Sequence, residues 1–232
     1  MAVVLWAIWR YFGGAWWPAR TRAARRRYRR AREVPGAAFA WAMGAGLLAS
    51  GALITLWLLL GQLVSVPGNP SATFAAYSPV TVVAVVVMAS LVGAVAEELG
   101  LRGYMLTRLE SQVGGWAAVV VVAVVIAPGH GMTQGFALST LLWYLVADLM
   151  FGTLALLTRS ILPGIIVHFI GLLVFFALVW PTDRYRHAAP LGRQDALFRI
   201  EVAACVVLAV LSVLTFRRLA SAMSRSPGLV TL

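Results

Sequence analysis

The sequence predicts an all-α fold, a polytopic bundle of about six transmembrane helices preceded by an interfacial N-terminal helix. Three observations predict it. The chain of 232 residues is 61% hydrophobic and 12% charged, whereas about 25% of the residues of a soluble domain are charged. Its mean hydropathy is +0.87. Residues 34–96 contain no Asp, Glu, Lys, Arg or His, so this stretch is long enough to hold more than one membrane span.

Residues 1–34 are predicted to form an aromatic and Arg-rich arm at the membrane interface. Four tryptophans lie in residues 1–17, and nine arginines lie in residues 10–32. In a signal peptide the positive charge precedes the apolar part, whereas here it follows. Aromatic rings favour the headgroup level of a bilayer. Arginines clustered beside apolar spans indicate anionic lipid as the partner of the arm, and we expect no nucleic acid partner.

Residues 35–220 are predicted to form a membrane-embedded helical domain, with a short cytoplasmic tail at 221–232. A span needs about 20 apolar residues, and six segments are candidates, of which the third is short: 37–62, 79–97, 116–128, 136–157, 161–180 and 200–216. Because the third segment is short, either its tilt or a break at the helix-breaking pair Pro128-Gly129 is expected to bring His130 to the other polar residues. Pro and Gly residues at 66–70 mark the first connection.

The arginines outside these spans predict the orientation. If all six segments cross, most of these arginines lie on one side, and positive charge marks the cytoplasmic side. The exception is the loop 181–199, which carries four arginines and would face outward. We therefore expect an integral multi-pass protein with both termini in the cytoplasm, in a bacterial plasma membrane.

Two adjacent carboxylates interrupt the apolar sequence. Ionisable groups at membrane depth cost roughly 2.5–3.5 kcal/mol each, so Glu97 and Glu98 are functional candidates. Arg102 is four residues beyond Glu98, on the same helical face, while the neighbouring Glu97 is rotated by about 100°. We expect Glu98 to pair with Arg102 and Glu97 to remain available as a general base. The alternative is that both acids mark the water-exposed end of a span.

Three further polar residues stand among apolar ones, each in or beside a different candidate span. A lone membrane histidine is usually a packing residue that makes a hydrogen bond. Together with the carboxylate pair, however, His130 and His168 can assemble a base, a water position and an oxyanion donor in one cavity. Asp148 is expected to make an interhelical hydrogen bond, with a substitute polar group in the site as the alternative.

Two other kinds of catalytic site fit the sequence less well. Two histidines and two carboxylates are suitable zinc ligands in type, but there is no HExxH motif and Cys205 is the only cysteine, so we expect no cofactor and no metal. No serine stands in a G-x-S-G setting, which disfavours a serine protease. Ser139 and Ser160 are interpreted as helix or turn residues.

The residues Glu97-Glu98-Leu99-Gly100-Leu101-Arg102 fit an EExxxR motif. Further features follow along the chain: His130, the segment from Asp148 to Gly152, the Arg159-Ser160 turn and His168. They occur in the same order as in a known family. Over about residues 80–175 the chain resembles the CPBP family (CaaX protease and bacteriocin-processing, also called Abi) of glutamate-dependent intramembrane proteases.

The resemblance implies roles for these residues. Glu97 would be the general base that activates water for attack on a peptide carbonyl, and His130 would help to orient that water. His168 would stabilise the oxyanion, with Glu98 and Arg102 as structural support. A membrane-associated peptide or protein would be the substrate.

The chain departs from the family pattern at two positions. Ile126 stands where a Phe usually precedes the first histidine, and Leu172 stands where Asn or Asp usually follows the second. Loss of one oxyanion donor costs about 10²–10³ in rate. Leu172 therefore supports an alternative hypothesis, a catalytically impaired relative that acts as a membrane interaction, immunity or chaperone protein. A third hypothesis is a small proton-coupled transporter that uses Glu97 and Asp148 as a relay.

Overall fold

The computed structural model describes residues 2–64, 74, 76–179 and 196–225. These residues form helices and no strand. The predicted connection at 66–70, most of the loop 181–199 and the end of the predicted tail at 226–232 lie outside the described residues.

The N-terminal arm contains two short helices. Helix α1 covers Ala2–Phe12 and α2 covers Arg22–Arg29, with a 3₁₀ turn at Ala19–Thr21 before α2. At 11 residues α1 is too short to cross a bilayer. It nevertheless exposes large apolar side chains, among them Val3 and Trp6, as expected for a helix at a membrane interface.

Within the part of the chain that the structure describes, seven further α-helices of at least 8 residues follow the arm, and their bounds in chain order are these: α3 Gly36–Leu63, α4 Pro79–Glu97, α5 Leu106–Val113, α6 Gly115–Gln134, α7 Leu138–Thr158, α8 Leu162–Val174 and α9 Ala196–Ser224. A π-helical segment at Glu98–Met105 makes α4 and α5 continuous, and a second one at Phe175–Val179 extends α8.

Six of these continuous helical segments are long and apolar enough to cross a membrane. This confirms the predicted polytopic helical bundle, and the chain is an integral multi-pass membrane protein. The six begin and end within a few residues of the predicted spans, except that the second continues to Val113, the third to Met132 and the sixth to Ser224. The outward faces of α4 and α9 carry rows of exposed valines and leucines, which suits contact with lipid.

Small residues let the helices of the core approach closely. Helix α3 packs along α9 through buried Ala38, Ala42 and Ala45, the kind of small side chain found where membrane helices meet. Gly46 of α3 lies against α8, because a Cβ there would be 2.7 Å from a methyl of Val167. Helix α3 therefore lies centrally, between α9 and the helices that carry the polar residues.

The arginines expected to share one side of the membrane do lie at one end of the bundle, called here the basic end. The arm, the start of α3, the end of α7 and the start of α8 meet there. The Ile161 amide donates to the Arg30 carbonyl at 3.0 Å, and Leu219 near the end of α9 packs in the same cluster as Ala38. The side of the membrane that this end faces stays a prediction.

Candidate active site

A cavity of about 260 Å³ opens between α3, α4, α7 and α8. Its wall is largely apolar, but a group of ionisable side chains lines one side: Glu97, Arg102, His130, Tyr144, Asp148 and His168. All of these except Tyr144 were predicted as site residues. The remaining predicted residue, Glu98, lies directly behind this wall. The structure therefore brings all six residues singled out in the sequence to one place.

Arg102 lies at the centre of these groups. Its Nη1 is 3.4 Å from Oε1 of Glu98, and its Nη2 donates to Oδ1 of Asp148 on α7. All three side chains are at most 3% exposed. The predicted pair Glu98–Arg102 is present, and so is the interhelical hydrogen bond predicted for Asp148. Such buried charges are tolerable only while each has its partner.

The backbone that carries the EExxxR motif is not a regular α-helix. From Glu98 to Met105 it is π-helical, and the Leu106 amide donates to the Leu101 carbonyl five residues earlier. Single π turns are frequent at functional sites. Spacing alone predicted a regular helix here, so this wider turn is a finding of the structure. It keeps Glu98 and Arg102 within contact distance while the helix continues into α5.

His168 stands between the two glutamates. Its Nδ1 is 3.1 Å from Oε1 of Glu98, and its Nε2 is 3.8 Å from Oε2 of Glu97. Since a carboxylate only accepts hydrogen bonds, Nδ1 is the nitrogen that carries the proton towards Glu98. The ring also stacks on Phe151 with the ring centroids 4.4 Å apart. His168 is therefore fixed in orientation, with Nε2 directed at Glu97.

The adjacent glutamates have different surroundings. The Glu98 side chain is 0% exposed and is held by Arg102 and His168, whereas the Glu97 side chain is 34% exposed and lines the cavity. This is the division expected from the rotation between neighbouring helical residues. Glu97 is thus the carboxylate that a water or substrate in the cavity can reach.

Of the two alternatives for the third span, tilt and a break at Pro128-Gly129, the break is wrong. Helix α6 passes through Pro128 and ends only at Gln134, because a proline inside a membrane helix is tolerated when neighbouring groups compensate for its missing hydrogen bond. His130 is therefore a helical residue, about 22 Å along α6 from Gly115 at 1.5 Å per residue.

The antiparallel neighbour α7 meets His130 at the same depth. Tyr144 is about 21 Å from the end of α7, and its ring stacks on that of His130 with centroids 4.0 Å apart. Nε2 of His130 is 3.9 Å from Oδ2 of Asp148. His130 thus reaches the cavity through the pairing of α6 with α7, without a break in its own helix.

Sequence reasoning missed two aromatic residues of the site. Tyr144 and Phe151 both line the cavity and stack on its histidines. Tyr144, Asp148 and Phe151 have the spacing i, i+4, i+7 of a single helical face, so a search along α7 from Asp148 would have found them. Leu172, the departure noted in the sequence, also lines the cavity.

The arrangement suits acid–base chemistry better than metal binding. Among the described residues, no three side chains of His, Cys, Asp or Glu are arranged to hold a metal ion. What the cavity offers is a reachable carboxylate beside an imidazole nitrogen, supported from behind by a buried ion-pair network.

Comparison with known proteins finds a family model that matches part of the chain. Residues 79–174 match the family model described as type II CAAX prenyl endopeptidase Rce1-like. The matched segment contains all six predicted site residues. No curated protein and no solved structure is significantly similar to the chain.

Proposed function

Residues 79–174 belong to the Rce1-like family of type II CAAX prenyl endopeptidases, which is the CPBP family, and from this premise we propose that the protein is an intramembrane endopeptidase with Glu97 as general base. The family is one of proteases. The observation that carries the proposal is the difference between the two glutamates, since Glu97 alone is open to the cavity and lies 3.8 Å from His168.

In the proposed reaction Glu97 removes a proton from a water molecule as the water oxygen attacks the carbonyl carbon of a peptide bond. The electron pair of the C=O bond moves onto its oxygen, which accepts a hydrogen bond from Nε2–H of His168. The C–N bond then breaks, and Glu97 returns its proton to the departing nitrogen.

The surrounding groups support these steps. In the proposed reaction the His168 ring donates through both nitrogens, Nδ1–H towards Glu98 and Nε2–H towards the oxyanion. Arg102 and Asp148 hold Glu98 and the helices in position. His130, deeper in the cavity and stacked on Tyr144, orients the attacking water.

We further propose that the basic end faces the cytoplasm of a bacterial cell, following the excess of arginine. The substrate would be a peptide or protein associated with the membrane, with its scissile bond placed at the depth of Glu97.

Leu172 supports a second candidate function, that of a catalytically impaired relative that binds membrane proteins. Its side chain stands one helical turn beyond His168, at the cavity wall, where a polar group would otherwise assist the oxyanion. A slow protease and an inactive binder differ in whether any cleavage depends on Glu97.

The experiment is a comparison of peptide termini in membranes from cells that carry the wild-type chain, Glu97→Gln or the control Glu33→Gln. Glu33 is an exposed carboxylate of the arm, so the control makes the same chemical change away from the cavity. We expect products in the wild type and the control that fall by at least about 10² in Glu97→Gln, the low end for loss of a general base.

Thermal unfolding of the purified variants shows whether Glu97→Gln leaves the protein folded. If the three samples have the same termini at adequate coverage, the protease proposal fails and the second candidate is favoured.

A further inference from the structure

The arginines of the N-terminal arm have two different environments. Arg25 is buried and ties the arm to itself, since it donates to the carbonyls of Tyr11 at 2.9 Å, Pro18 at 3.0 Å and Trp16 at 2.5 Å. Its guanidinium also lies over the Tyr11 ring, 4.5 Å from the centroid. Arg25 thereby folds α1, the turn and α2 into one unit, and it is not available to an outside partner.

Arg30 is the second buried arginine, and it attaches this unit to the bundle. It binds both oxygens of Glu110 at 2.5 and 3.2 Å, the Thr107 hydroxyl at 3.3 Å and the Ala155 carbonyl at 3.0 Å. These partners belong to α5 and α7, the helices that continue from Arg102 and Asp148. Arg30 therefore holds the arm on the elements that build the cavity.

The backbone of the arm is equally close to the EExxxR segment. A Cβ at Gly103 would lie 2.7 Å from the Tyr28 carbonyl oxygen, so only glycine fits there without a shift. Ser160 donates to the Arg32 carbonyl at 2.6 Å. The inner face of the arm is thus a fixed part of the protein, with a defined position relative to the membrane helices.

The outer face is basic and aromatic. The guanidinium groups of Arg20, Arg22 and Arg27 are exposed, and the nearby Trp17 side chain is 85% exposed. Burial and repulsion from Arg26 lower the pKa of Arg29 below its ordinary value, which indicates that the like charges of α2 repel one another. An anionic surface would offset that repulsion.

We propose that the outer face of the arm is a docking surface for anionic phospholipid headgroups at the basic end of the bundle. Three observations fit this partner: α1 is apolar and too short to span, the exposed tryptophans suit the headgroup level, and the arginines attract negative lipid. Arg25 and Arg30 are used internally, and the exposed Arg10, Arg26 and Arg32 also have partners within the protein. The lipid contact is therefore assigned to Arg20, Arg22 and Arg27.

The test uses the full chain in nanodiscs, with Cys205→Ser to remove the native thiol and Ala23→Cys on the exposed side of α2 to carry a fluorophore. Because the arm is fixed to the bundle, the nanodiscs carry a small and equal fraction of either phosphatidylglycerol or phosphatidylcholine with a quencher next to the headgroup, and quenching measures how far that lipid is enriched beside α2. We expect stronger quenching in nanodiscs that contain phosphatidylglycerol than in pure phosphatidylcholine, and loss of the difference in about 1 M salt, where the Debye length is about 3 Å.

A charge-matched pair of variants identifies the residues. Each arginine near an anionic surface contributes about fivefold, so replacing Arg20, Arg22 and Arg27 with Gln should lower the affinity of the arm for phosphatidylglycerol by up to about a hundredfold. The control replaces three exposed arginines of the C-terminal region with Gln: Arg217, Arg218 and Arg225. The control should keep the preference for phosphatidylglycerol.

Equal quenching in the two lipids would overturn the proposal, and so would equal loss in the two triple variants. Binding of RNA to the protein in phosphatidylcholine nanodiscs, with no response to phosphatidylglycerol, would assign the surface to nucleic acid instead. The lipid and salt series on the chain with all its arginines decides the matter even if a triple variant fails to fold. None of these readouts depends on peptide cleavage.

Discussion

His168 and His130 lie at opposite ends of the cavity network, and each stands between a carboxylate and an aromatic ring. His168 is 3.1 Å from Glu98 and is 10% exposed, whereas His130 is 3.9 Å from Asp148 and is 19% exposed. The first distance is that of a hydrogen bond and the second is too long for one. The His168 end is therefore held by a hydrogen bond to its carboxylate, while His130 is held by other contacts, among them its stacking on Tyr144.

Two glycines show the same difference in packing. A Cβ at Gly164, on the His168 helix, would lie 2.6 Å from Oε2 of Glu98, whereas a Cβ at Gly129, beside His130, would meet nothing within 4 Å. The His168 end has no space to spare, and the His130 helix has space on its outer side.

The largest expected effect is that of Arg102→Gln, because Arg102 binds the carboxylate at the His168 end and the carboxylate at the His130 end. It leaves Glu98 and Asp148 as buried carboxylates without their shared cation, and removing one partner of a buried ion pair costs about 3–5 kcal/mol. Thermal unfolding in detergent measures the loss. The control is Arg108→Gln, an exposed arginine of α5, where a change within about 0.5 kcal/mol is expected.

Second substitutions in the Arg102→Gln background sharpen the comparison. Asp148→Asn should restore more stability than Glu98→Gln, because Glu98 still has His168 at hydrogen-bond distance and Asp148 has no equally close histidine. Equal rescue by the two substitutions would mean that the two ends are held alike, against the difference in their distances.

The next effect in size concerns Leu172 at the His168 end. Leu172→Asn adds a polar group one helical turn beyond His168, and we expect the cleavage rate to rise by up to about 10²-fold, the low end for one oxyanion donor. The assay is turnover of a product found in the Glu97 comparison. Leu173→Asn is the control, since the neighbouring residue is rotated by about 100° on the helix. An unchanged rate in Leu172→Asn would show that this position does not limit the reaction.

The smallest expected effects come from replacing each of the two glycines with alanine. The two substitutions should change the free energy of unfolding in opposite directions. Gly164→Ala forces Glu98 to move, and overpacking of this kind lowers the free energy of unfolding by about 1–3 kcal/mol. Gly129→Ala has room and removes a glycine from a helix, which should raise it by up to about 1 kcal/mol. Unfolding midpoints of the two variants test this, and a shift in the same direction for both would contradict the packing difference.

Much of this site could be predicted from local sequence. The different surroundings of Glu97 and Glu98 follow from helical rotation and the position of Arg102, and the structure retains both features. The interhelical bond of Asp148 was predicted in kind, since a membrane carboxylate must find a partner, but the sequence could not identify that partner as Arg102. The continuity of α6 through Pro128 could not be predicted, because a proline is tolerated inside a membrane helix only when neighbouring helices compensate for its missing hydrogen bond.

The sequence by itself determined the six spans, the basic end and the residue types of the site, because hydrophobic length, charge and helical spacing are local properties of a chain. Only the tertiary structure decided which histidine meets which carboxylate, that Tyr144 stacks on His130, and that Arg30 attaches the arm to α5 and α7. These contacts join residues far apart in sequence, so they depend on how small side chains let the helices pack, and no local pattern specifies that packing.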